Sequence, residues 1–256
     1  MKVVIVGGVA GGATTATRLR RLDENLEIVL FERGEHISFA NCGLPYYIGD
    51  IIKTEDDLLV QTPEKFKERF NIDVRIKQEV IKIDKEKKKL QIKNKATGEV
   101  YIENYDKLVL SPGAEPINPF KGVKSDRIFT IRNVKDAEKV KTFIENNNPK
   151  SAVIVGGGYI GVEMAENLSE YTMEVSIVEK APHLISIIDN DMAHFIHKEI
   201  KKHGVKVYVN EGVNKIEEHE KLLLTLDNGK IETDLVILCI GVRPETNLAE
   251  ESGINT

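Results

Sequence analysis

The stretch KVVIVGGVAGG, residues 2–12, carries five strand-forming residues directly into a glycine-rich turn. The residues after it predict a helix over Ala13–Leu22, a strand over Leu26–Phe31 and an acid, Glu32, at the end of that strand. Strand, glycine turn, helix, strand and acid in this order are typical of a βαβ unit that binds a dinucleotide. The stretch therefore predicts a parallel sheet with a nucleotide site at the end of its first strand.

The same pattern returns in the second half of the chain as SAVIVGGGYIG, residues 151–161. A helix is predicted over Val162–Tyr171 and a strand over Glu174–Val178, after which Glu179 supplies the acid. A lone glycine turn between strand and helix can reflect tight packing alone, but two copies in the same context favour nucleotide binding. The sequence therefore predicts two separate nucleotide-binding domains.

Alternating strand-like runs accompany both copies. Glu79–Asp84, Lys89–Lys93 and Glu99–Glu103 predict an antiparallel meander. Further on, Leu226–Gly229 predicts a hairpin whose Asn-Gly pair suits a primed turn. The fold class is therefore α/β, with two Rossmann-like βαβ nucleotide-binding domains that carry small antiparallel appendages. Further predicted elements are a helix opened by Thr62-Pro63, a strand at Leu108–Leu110, a helix over Asp191–His203 and a strand at Val205–Val209.

Composition and charge exclude several classes of protein. The 256 residues suit two domains, and a formal net charge of -5 argues against nucleic-acid binding, which needs a basic face. No stretch approaches the roughly 20 apolar residues that span a bilayer, and the start lacks the features of a signal peptide. Two cysteines are too few for a disulfide scaffold and suit a reducing compartment. We therefore expect a cytoplasmic protein with no membrane or nucleic-acid partner.

The glycine spacing and the terminal acid bear on the kind of nucleotide. Gly156, Gly158 and Gly161 match G-x-G-x-x-G, the spacing that lets a backbone approach a pyrophosphate at a helix N-terminus. The first copy has Val9 at the second glycine position. The carboxylate of Glu179 repels a 2′-phosphate, so NADH is favoured over NADPH, although a neighbouring lysine keeps NADPH as an alternative.

Cys42 stands alone in SFANCGLP, residues 38–45. An isolated thiol between two nucleotide signatures indicates redox chemistry on one sulfur rather than on a dithiol. Pro45 limits the following apolar run to a short helix, whose N-terminus would stabilise a thiolate. The alternative is a buried, inert thiol, which is the expectation for Cys239 in the apolar strand Leu235–Ile240.

Five motifs in one order carry a resemblance that covers essentially the whole chain. The sequence resembles the flavin- and pyridine-nucleotide-dependent disulfide oxidoreductases, and most of all their single-cysteine branch. That branch contains coenzyme A-disulfide reductases, NADH oxidases and persulfide or polysulfide reductases, and it usually carries the valine found at Val9. The matching motifs are Val6–Gly12, Ser38–Pro45, Leu110–Ala114, Val155–Glu163 and Gly241–Pro244.

The resemblance implies FAD and NADH as cofactors, with coenzyme A as substrate or as an adduct on Cys42. Electrons would pass from the nicotinamide through the flavin to Cys42 on its opposite face. NADH would bind at Gly156, Gly157, Gly158, Tyr159, Ile160, Gly161 and Glu179, with Tyr159 gating the nicotinamide side. FAD would bind at Gly7, Gly8, Val9, Ala10, Gly11, Gly12 and Glu32, and further cofactor contacts fall on Arg33, Asn41, Ser111, Pro112, Gly113 and Gly241. Substrate contacts fall on Thr14, Arg18, Arg21, Ser38 and Asn41.

The resemblance also implies domain roles and a longer protein. Residues 1–115 would be the main segment of the FAD-binding domain, 120–240 the NAD-binding domain, and 241–256 an incomplete return segment to the first. Family members continue with a strand that ends in a Gly-Asp pair and then with a dimerisation domain, both expected beyond this chain. The full-length family is homodimeric, and its substrate is a small-molecule disulfide.

Several alternatives stay open on the sequence alone. Arg18 and Arg21 share a helix face and suit a phosphate-bearing ligand, but they also suit a solvated helix end. Asn41 can contact sulfur or cap a turn. The first hypothesis for the function is reduction of coenzyme A disulfide, a related disulfide or a persulfide. The alternatives are an NADH oxidase or peroxidase that cycles Cys42 through sulfenic acid, and a non-catalytic nucleotide-binding module. The six histidines show no metal spacing, so no metal is expected.

Overall fold

A computed structural model describes all 256 residues, Met1–Thr256. The chain divides into two compact units. The first unit contains residues 1–40, 59–114 and 244–256, and the second unit contains residues 41–58 and 115–243. Each unit has one parallel sheet and one antiparallel sheet, which confirms the predicted α/β class.

Strands and helices follow one another in the order expected of repeated βαβ units. The strands are β1 (Lys2–Val6), β2 (Glu27–Phe31), β3 (Asp73–Arg75), β4 (Gln78–Asp84), β5 (Lys89–Asn94), β6 (Val100–Asn104), β7 (Lys107–Leu110), β8 (Ala114–Pro116), β9 (Ile128–Thr130), β10 (Ser151–Val155), β11 (Glu174–Glu179), β12 (Lys206–Val209), β13 (Val213–Glu218), β14 (Leu222–Leu226), β15 (Gly229–Thr233), β16 (Leu235–Leu238) and β17 (Val242–Pro244). The helices are α1 (Ala10–Leu22), α2 (Leu44–Ile48), α3 (Pro63–Phe70), α4 (Val134–Asn147), α5 (Tyr159–Ser169), α6 (Asn190–Lys202) and α7 (Asn247–Glu250). None of these helices has the length and apolar character that crossing a bilayer requires.

The first unit is built on a four-stranded parallel sheet in the order β3-β2-β1-β7. Val6, the last residue of β1, pairs with Phe31 on one side and with Leu110 on the other. α1 packs on one face of the sheet through Ala16, and α3 packs on the same face through Phe66. The antiparallel sheet β4-β5-β6, which is the predicted meander, covers the other face. Both faces are therefore buried, as parallel sheets require.

The second unit repeats this plan with a five-stranded parallel sheet in the order β12-β11-β10-β16-β9. The antiparallel sheet β13-β14-β15 packs against one of its faces. In both units the strand before the glycine turn lies between the strand that follows the helix and a later strand of the same unit. The predicted repeat is thus a repeat of topology as well as of sequence.

The helices of the two βαβ units begin three residues earlier than predicted. α1 begins at Ala10 and α5 at Tyr159, and α5 ends at Ser169. Since glycine is a poor helix former, the sequence predicts that each helix starts after the last glycine of its motif. Gly12 and Gly161 are nevertheless helical, since their lack of a side chain is what lets the helix start so close to the strand.

The predicted primed turn is wrong. Leu226 pairs with Gly229, so Asp227 and Asn228 are the loop residues, and neither has the positive φ that a primed turn needs. Both side chains are instead hydrogen-bonded to residues 211–214. These tertiary contacts hold the loop in a different conformation from the one that the local Asn-Gly signal indicates.

Residues 41–58 belong to the second unit, whereas the predicted boundaries placed them in the first domain. α2 packs against α4 and α5 of the second unit. Leu44, Tyr47 and Ile48 of α2 are all buried. The apolar run that follows the thiol is buried against these helices. This burial explains why the run belongs to the second unit, unlike most of residues 1–115.

An ion-pair network joins β1, β3 and β6 within the first unit. Glu103 accepts a hydrogen bond from Lys2 Nζ at 2.8 Å and another from Arg75 Nη1 at 2.7 Å. Burial by itself would raise the pKa of Glu103, but the bonds from Lys2 and Arg75 outweigh it and hold that pKa below its ordinary value. Glu103 is therefore charged at neutral pH and stabilises the folded unit.

Replacing Glu103 by Gln should lower the free energy of unfolding by about 2 kcal/mol at neutral pH, because two cations lose a charged partner. Since the pKa of Glu103 is lowered on folding, its contribution is present above the ordinary glutamate pKa and is lost as the pH falls through the lowered value. Urea unfolding should therefore separate wild type from Glu103→Gln at neutral pH and bring them together in acid. The exposed Glu99→Gln is the control, and an equal loss in that variant would contradict the assignment.

Candidate nucleotide and thiol sites

The first glycine turn joins β1 to α1 through a very close approach of backbone to backbone. Gly7 has a φ of +97°, and its N–H donates to the carbonyl oxygen of Phe31 at 2.8 Å. A Cβ on Gly12 would lie 1.7 Å from the carbonyl oxygen of Gly7. Only glycine fits at both positions, so the N-terminus of α1 lies directly against the end of β1.

Glu32 closes this turn from the end of β2. Its Oε2 accepts from the Gly8 N–H at 2.7 Å, and its Oε1 accepts from the Gly34 N–H at 2.6 Å. The residue is only 9% exposed, so the two bonds hold the carboxylate in one orientation. Each carboxylate oxygen can accept a second hydrogen bond, which is what the two hydroxyls of a ribose require.

The second glycine turn repeats this geometry in the second unit. Gly156 has a φ of +106°, and a Cβ on Gly161 would lie 1.9 Å from the Gly156 carbonyl oxygen. Glu179 accepts from the Gly157 N–H at 2.5 Å through Oε2 and from the Ala181 N–H at 2.6 Å through Oε1. The second donors, the N–H groups of Gly34 and Ala181, lie outside the two glycine motifs. The two units are therefore equivalent beyond the repeated motif.

A later strand of each unit completes the turn, an equivalence that sequence reasoning missed. Ser111 and Cys239 each donate a backbone N–H to the last residue of the strand before the turn. Their carbonyl oxygens lie 2.0 and 2.4 Å from where a Cβ on the first glycine of the turn would stand. Gly113 and Gly241 follow two positions later, both with positive φ. A glycine shortly after an apolar strand was the sequence signal available for this contact. In both units the later strand places the predicted residues, Ser111–Gly113 and Gly241, beside the turn.

Both turns fit the pyrophosphate of a dinucleotide. Neither α1 nor α5 has an acidic side chain in its first turn, so the N–H groups and the helix dipole favour an anion there. No atom lies within 4 Å of the Cβ position at Gly158, and Tyr159 beside it is 57% exposed. In the first copy Val9 is half-buried, while Ala10 and Gly11 are exposed. The residues present therefore suit FAD and NADH, one at each turn.

Thr14, Arg18 and Arg21 line one exposed face of α1. Neither Arg18 nor Arg21 has an ion-pair partner. Arg20, by contrast, donates to the backbone carbonyls of residues 70–71 and connects the end of α1 to the C-terminal end of α3. Two unpaired cations on one face are therefore available to a phosphate-bearing ligand.

The predicted thiol segment is divided between the two units. Ser38 belongs to the first unit, has a φ of +46° and donates its N–H to the Gly8 carbonyl oxygen at 3.1 Å. Asn41 and Cys42 belong to the second unit, where they lie in a 3₁₀ turn before α2, and both are exposed. Cys42 is therefore not a buried thiol, and its redox role stays a prediction.

α2, which follows the thiol, is anchored by side chains that sequence reasoning did not single out. Lys141 of α4 is 8% exposed, donates to Asp50 Oδ1 at 3.0 Å and lies 4.4 Å from the centroid of the Tyr47 ring. The hydroxyl of Tyr171 donates to the carbonyl oxygen of Ile48 at 2.6 Å. Partners separated by 91 and 123 residues leave no local pattern, so no sequence signal marked them.

Acidic groups act on Tyr46, which lies one helical turn after Cys42. The charge of Glu166 raises the pKa of Tyr46 most, and burial, Glu163 and a Cys42 thiolate add to the effect. Burial also raises the pKa of Glu163, and Glu166 contributes in the same direction. Tyr46 is therefore protonated at neutral pH and available as a hydrogen-bond donor near the thiol.

The remaining candidate groups have contacts of their own. Cys239 lies just past β16 rather than within it, and burial raises its pKa to about 12, so its thiol stays protonated. Arg33 forms an ion pair with Glu245 at 3.4 Å in the first unit. His197 accepts a hydrogen bond from the Leu184 N–H at 2.9 Å. No group of three or more His, Cys, Asp or Glu side chains is arranged to hold a metal ion.

Comparisons with known proteins agree with this geometry. A family model described as pyridine nucleotide-disulphide oxidoreductase matches residues 1–256. The coenzyme A disulfide reductase of Staphylococcus epidermidis is 38% identical over 254 residues, which are 99% of this chain and 57% of that protein. The crystal structure of reduced Bacillus anthracis CoADR-RHD has 50% identity and a TM-score of 0.94, over 98% of this chain and 46% of that one. The NAD-dependent persulfide reductase from A. fulgidus has 32% identity and a TM-score of 0.93, over 99% and 48%.

The chain thus spans about half the length of the relatives it matches. The match along its full length confirms the resemblance that the five sequence motifs carried. The chain belongs to the pyridine nucleotide-disulphide oxidoreductase family.

Proposed function

We propose that the protein is a flavin-dependent oxidoreductase that takes electrons from NADH and uses Cys42 to reduce a disulfide, foremost coenzyme A disulfide. The observation that carries the proposal is a repeated hydrogen bond from a glycine of the turn to the acid after the next strand, Gly8 to Glu32 and Gly157 to Glu179. We call each of these pairs a clasp, and there is one for each of two dinucleotides. FAD binds at the first clasp and NADH at the second. The coenzyme A disulfide reductase and the persulfide reductase among the relatives support a sulfur acceptor.

When bound, FAD supplies an acceptor for hydride and a donor of electron pairs to sulfur, which no side chain can provide. The first unit would hold it along the turn Gly7–Gly12 through the N–H groups of Val9–Gly12, because those of Gly7 and Gly8 already bond to Phe31 and Glu32, and further through Glu32 on the ribose, Arg33 and Ser111–Gly113. The second unit holds NADH in the equivalent way. Helix N-termini free of acidic side chains suit both pyrophosphates.

Cys42 is the sulfur that meets the substrate. Its thiolate attacks one sulfur of coenzyme A disulfide, which forms a mixed disulfide on Cys42 and releases one coenzyme A thiolate. Two-electron reduction of that mixed disulfide restores the Cys42 thiolate and releases the second coenzyme A. The hydride of NADH and one solvent proton together balance the two thiols that are formed.

The exposed face of α1 supports coenzyme A as the substrate. Coenzyme A carries several phosphate oxygens, and guanidinium groups bind phosphate in bidentate geometry. Arg18 and Arg21 are exposed and unpaired, and Thr14 adds a hydroxyl on the same face. A disulfide without phosphate groups would gain nothing from these cations.

Replacing Cys42 by Ser should reduce NADH-dependent turnover of coenzyme A disulfide by about 10³-fold or more, because an alcohol cannot act as a thiolate nucleophile. The variant should keep the yellow colour of bound FAD. Turnover is measured as NADH oxidation, and mass analysis of the Cys42 peptide after anaerobic titration identifies any adduct. Cys239→Ala is the control and should keep its activity, because that buried thiol stays protonated.

The same experiment separates the alternatives. A coenzyme A adduct on Cys42 supports the proposal, whereas an oxygen adduct favours an NADH oxidase or peroxidase that cycles through sulfenic acid. A colourless protein that still binds NADH indicates a non-catalytic nucleotide-binding module. Full activity in Cys42→Ser would overturn the proposed role of the thiol.

The double variant Arg18→Ala/Arg21→Ala should raise the KM for coenzyme A disulfide by about 10- to 100-fold, the loss expected for two phosphate contacts. Reduction of oxygen should be unchanged, since oxygen carries no phosphate. The variant Lys65→Ala/Lys107→Ala removes two charges from exposed positions of the same unit and serves as the control. Equal effects on both acceptors would count against a coenzyme A site on this helix face.

Replacing Glu179 by Ala should raise the KM for NADH about tenfold and reduce the preference for NADH over NADPH. The variant loses the acceptor of the ribose hydroxyls together with the charge that repels a 2′-phosphate. Steady-state kinetics with each coenzyme measure both effects. The variant Glu232→Ala, at an exposed position, is the control. An unchanged preference for NADH over NADPH in Glu179→Ala would contradict NADH binding at the second clasp.

Three expectations concern the protein as a whole and stay predictions. They are homodimerisation, a cytoplasmic location, and the assignment of residues 1–115 and 120–240 to FAD and NADH. The position of each clasp, one before residue 115 and one after residue 120, supports the last of them.

A further inference from the structure

A loop of the second unit that contains Leu184 and Ile185 packs against Gly157, the glycine whose N–H Glu179 accepts. Leu184 is fully buried, and its Cδ2 lies 2.4 Å from where a Cβ on Gly157 would stand. Ile185 donates its N–H to the Gly157 carbonyl oxygen at 2.7 Å and has a φ of +47°, which β-branched residues rarely adopt. Strain of this kind persists only where the surrounding contacts hold the backbone in place.

His197 of α6 supplies one of those contacts. Its Nε2 accepts the Leu184 N–H at 2.9 Å, which requires a neutral ring with its proton on Nδ1. Burial lowers the pKa of His197, and the charges of Lys201, His183 and His194 act in the same direction. No carboxylate from α5 or β12, the elements packed against α6, acts on the ring. The neutral form that can accept the bond is therefore the form present at neutral pH.

The first unit offers an internal comparison. Ile37 packs on Gly8, and Ser38, with a φ of +46°, donates to the Gly8 carbonyl oxygen at 3.1 Å. The contact between loop and turn is therefore common to both units. α3, which follows this loop as α6 follows the other, contains no histidine. A histidine on the later helix is therefore found in the second unit only.

We infer that His197 is a positioning residue for NADH, since its hydrogen bond to Leu184 holds Gly157 and the turn in the conformation that binds the coenzyme. The inference rests on the proposed function, because it concerns the affinity of the second clasp for NADH. Protonation of His197 removes the acceptor and leaves the buried Leu184 N–H without a partner. NADH affinity should therefore fall as the solution becomes acidic.

Fluorescence titration of the full chain with NADH tests this in three variants. His197→Ala should weaken NADH binding about tenfold, as expected for a buried N–H left unpaired, and should raise the KM for NADH while kcat changes little. His197→Gln places an amide oxygen near the position of Nε2, so it should restore affinity and abolish its loss in acid. His194→Gln, on the exposed face of the same helix, should bind NADH with wild-type affinity at neutral pH, where His197 is neutral in both proteins.

Each outcome bears on a different statement. If His197→Ala fails to fold in a thermal unfolding check, the Gln variant still decides the matter through its pH profile. Unchanged affinity and an unchanged pH profile in the folded His197 variants would overturn the inference and leave the proposed function standing. Absence of NADH binding by the wild type would overturn the proposed function, and the inference with it.

Discussion

The carbonyl oxygen of Gly7 occupies the space where any side chain on Gly12 would have to be, at 1.7 Å from its Cβ position. This contact lets α1 start directly over the end of β1, with its first N–H groups free of steric cover. In this arrangement Glu32, at the end of the neighbouring strand, accepts the Gly8 N–H at 2.7 Å. The contact between Gly161 and Gly156 has the same consequence in the second unit. The phosphate and ribose recognition proposed for both turns depends on this one constraint.

The two units share the clasp and differ in what is added to it. The first unit carries the unpaired arginines of α1, which suit a phosphate-bearing substrate. The second unit carries Cys42 and the helix after it, because Lys141 and Tyr171 bind the backbone and side chains of residues 47–50. It also carries His197 on α6, which bonds to Leu184, whereas α3 of the first unit contains no histidine. A repeated fold can thus serve two dinucleotides while each copy acquires its own chemistry.

The local features of the fold could be predicted because each has a short-range cause. The apolar residues Val3–Val6 and Ala152–Val155 form the buried parts of β1 and β10, and Thr62-Pro63 opens α3, with the Thr62 side chain as its cap. Local rules failed where tertiary contacts decide. The propensity of glycine delayed the predicted helix starts, and the Asn-Gly pair at 228–229 indicated a turn that contacts with residues 211–214 replace.

The sequence by itself determined the class of the fold, the two glycine turns, their acids and the lone thiol, because spacing along the chain is enough to define each of them. The tertiary structure alone decided which unit receives Cys42, which later strand closes each turn, and which side chains anchor the site. Ser111, Cys239, Lys141 and His197 act through partners that are distant in sequence or that a loop places beside them. Such contacts depend on how sheets and helices pack, and packing leaves no periodic trace in the order of residues.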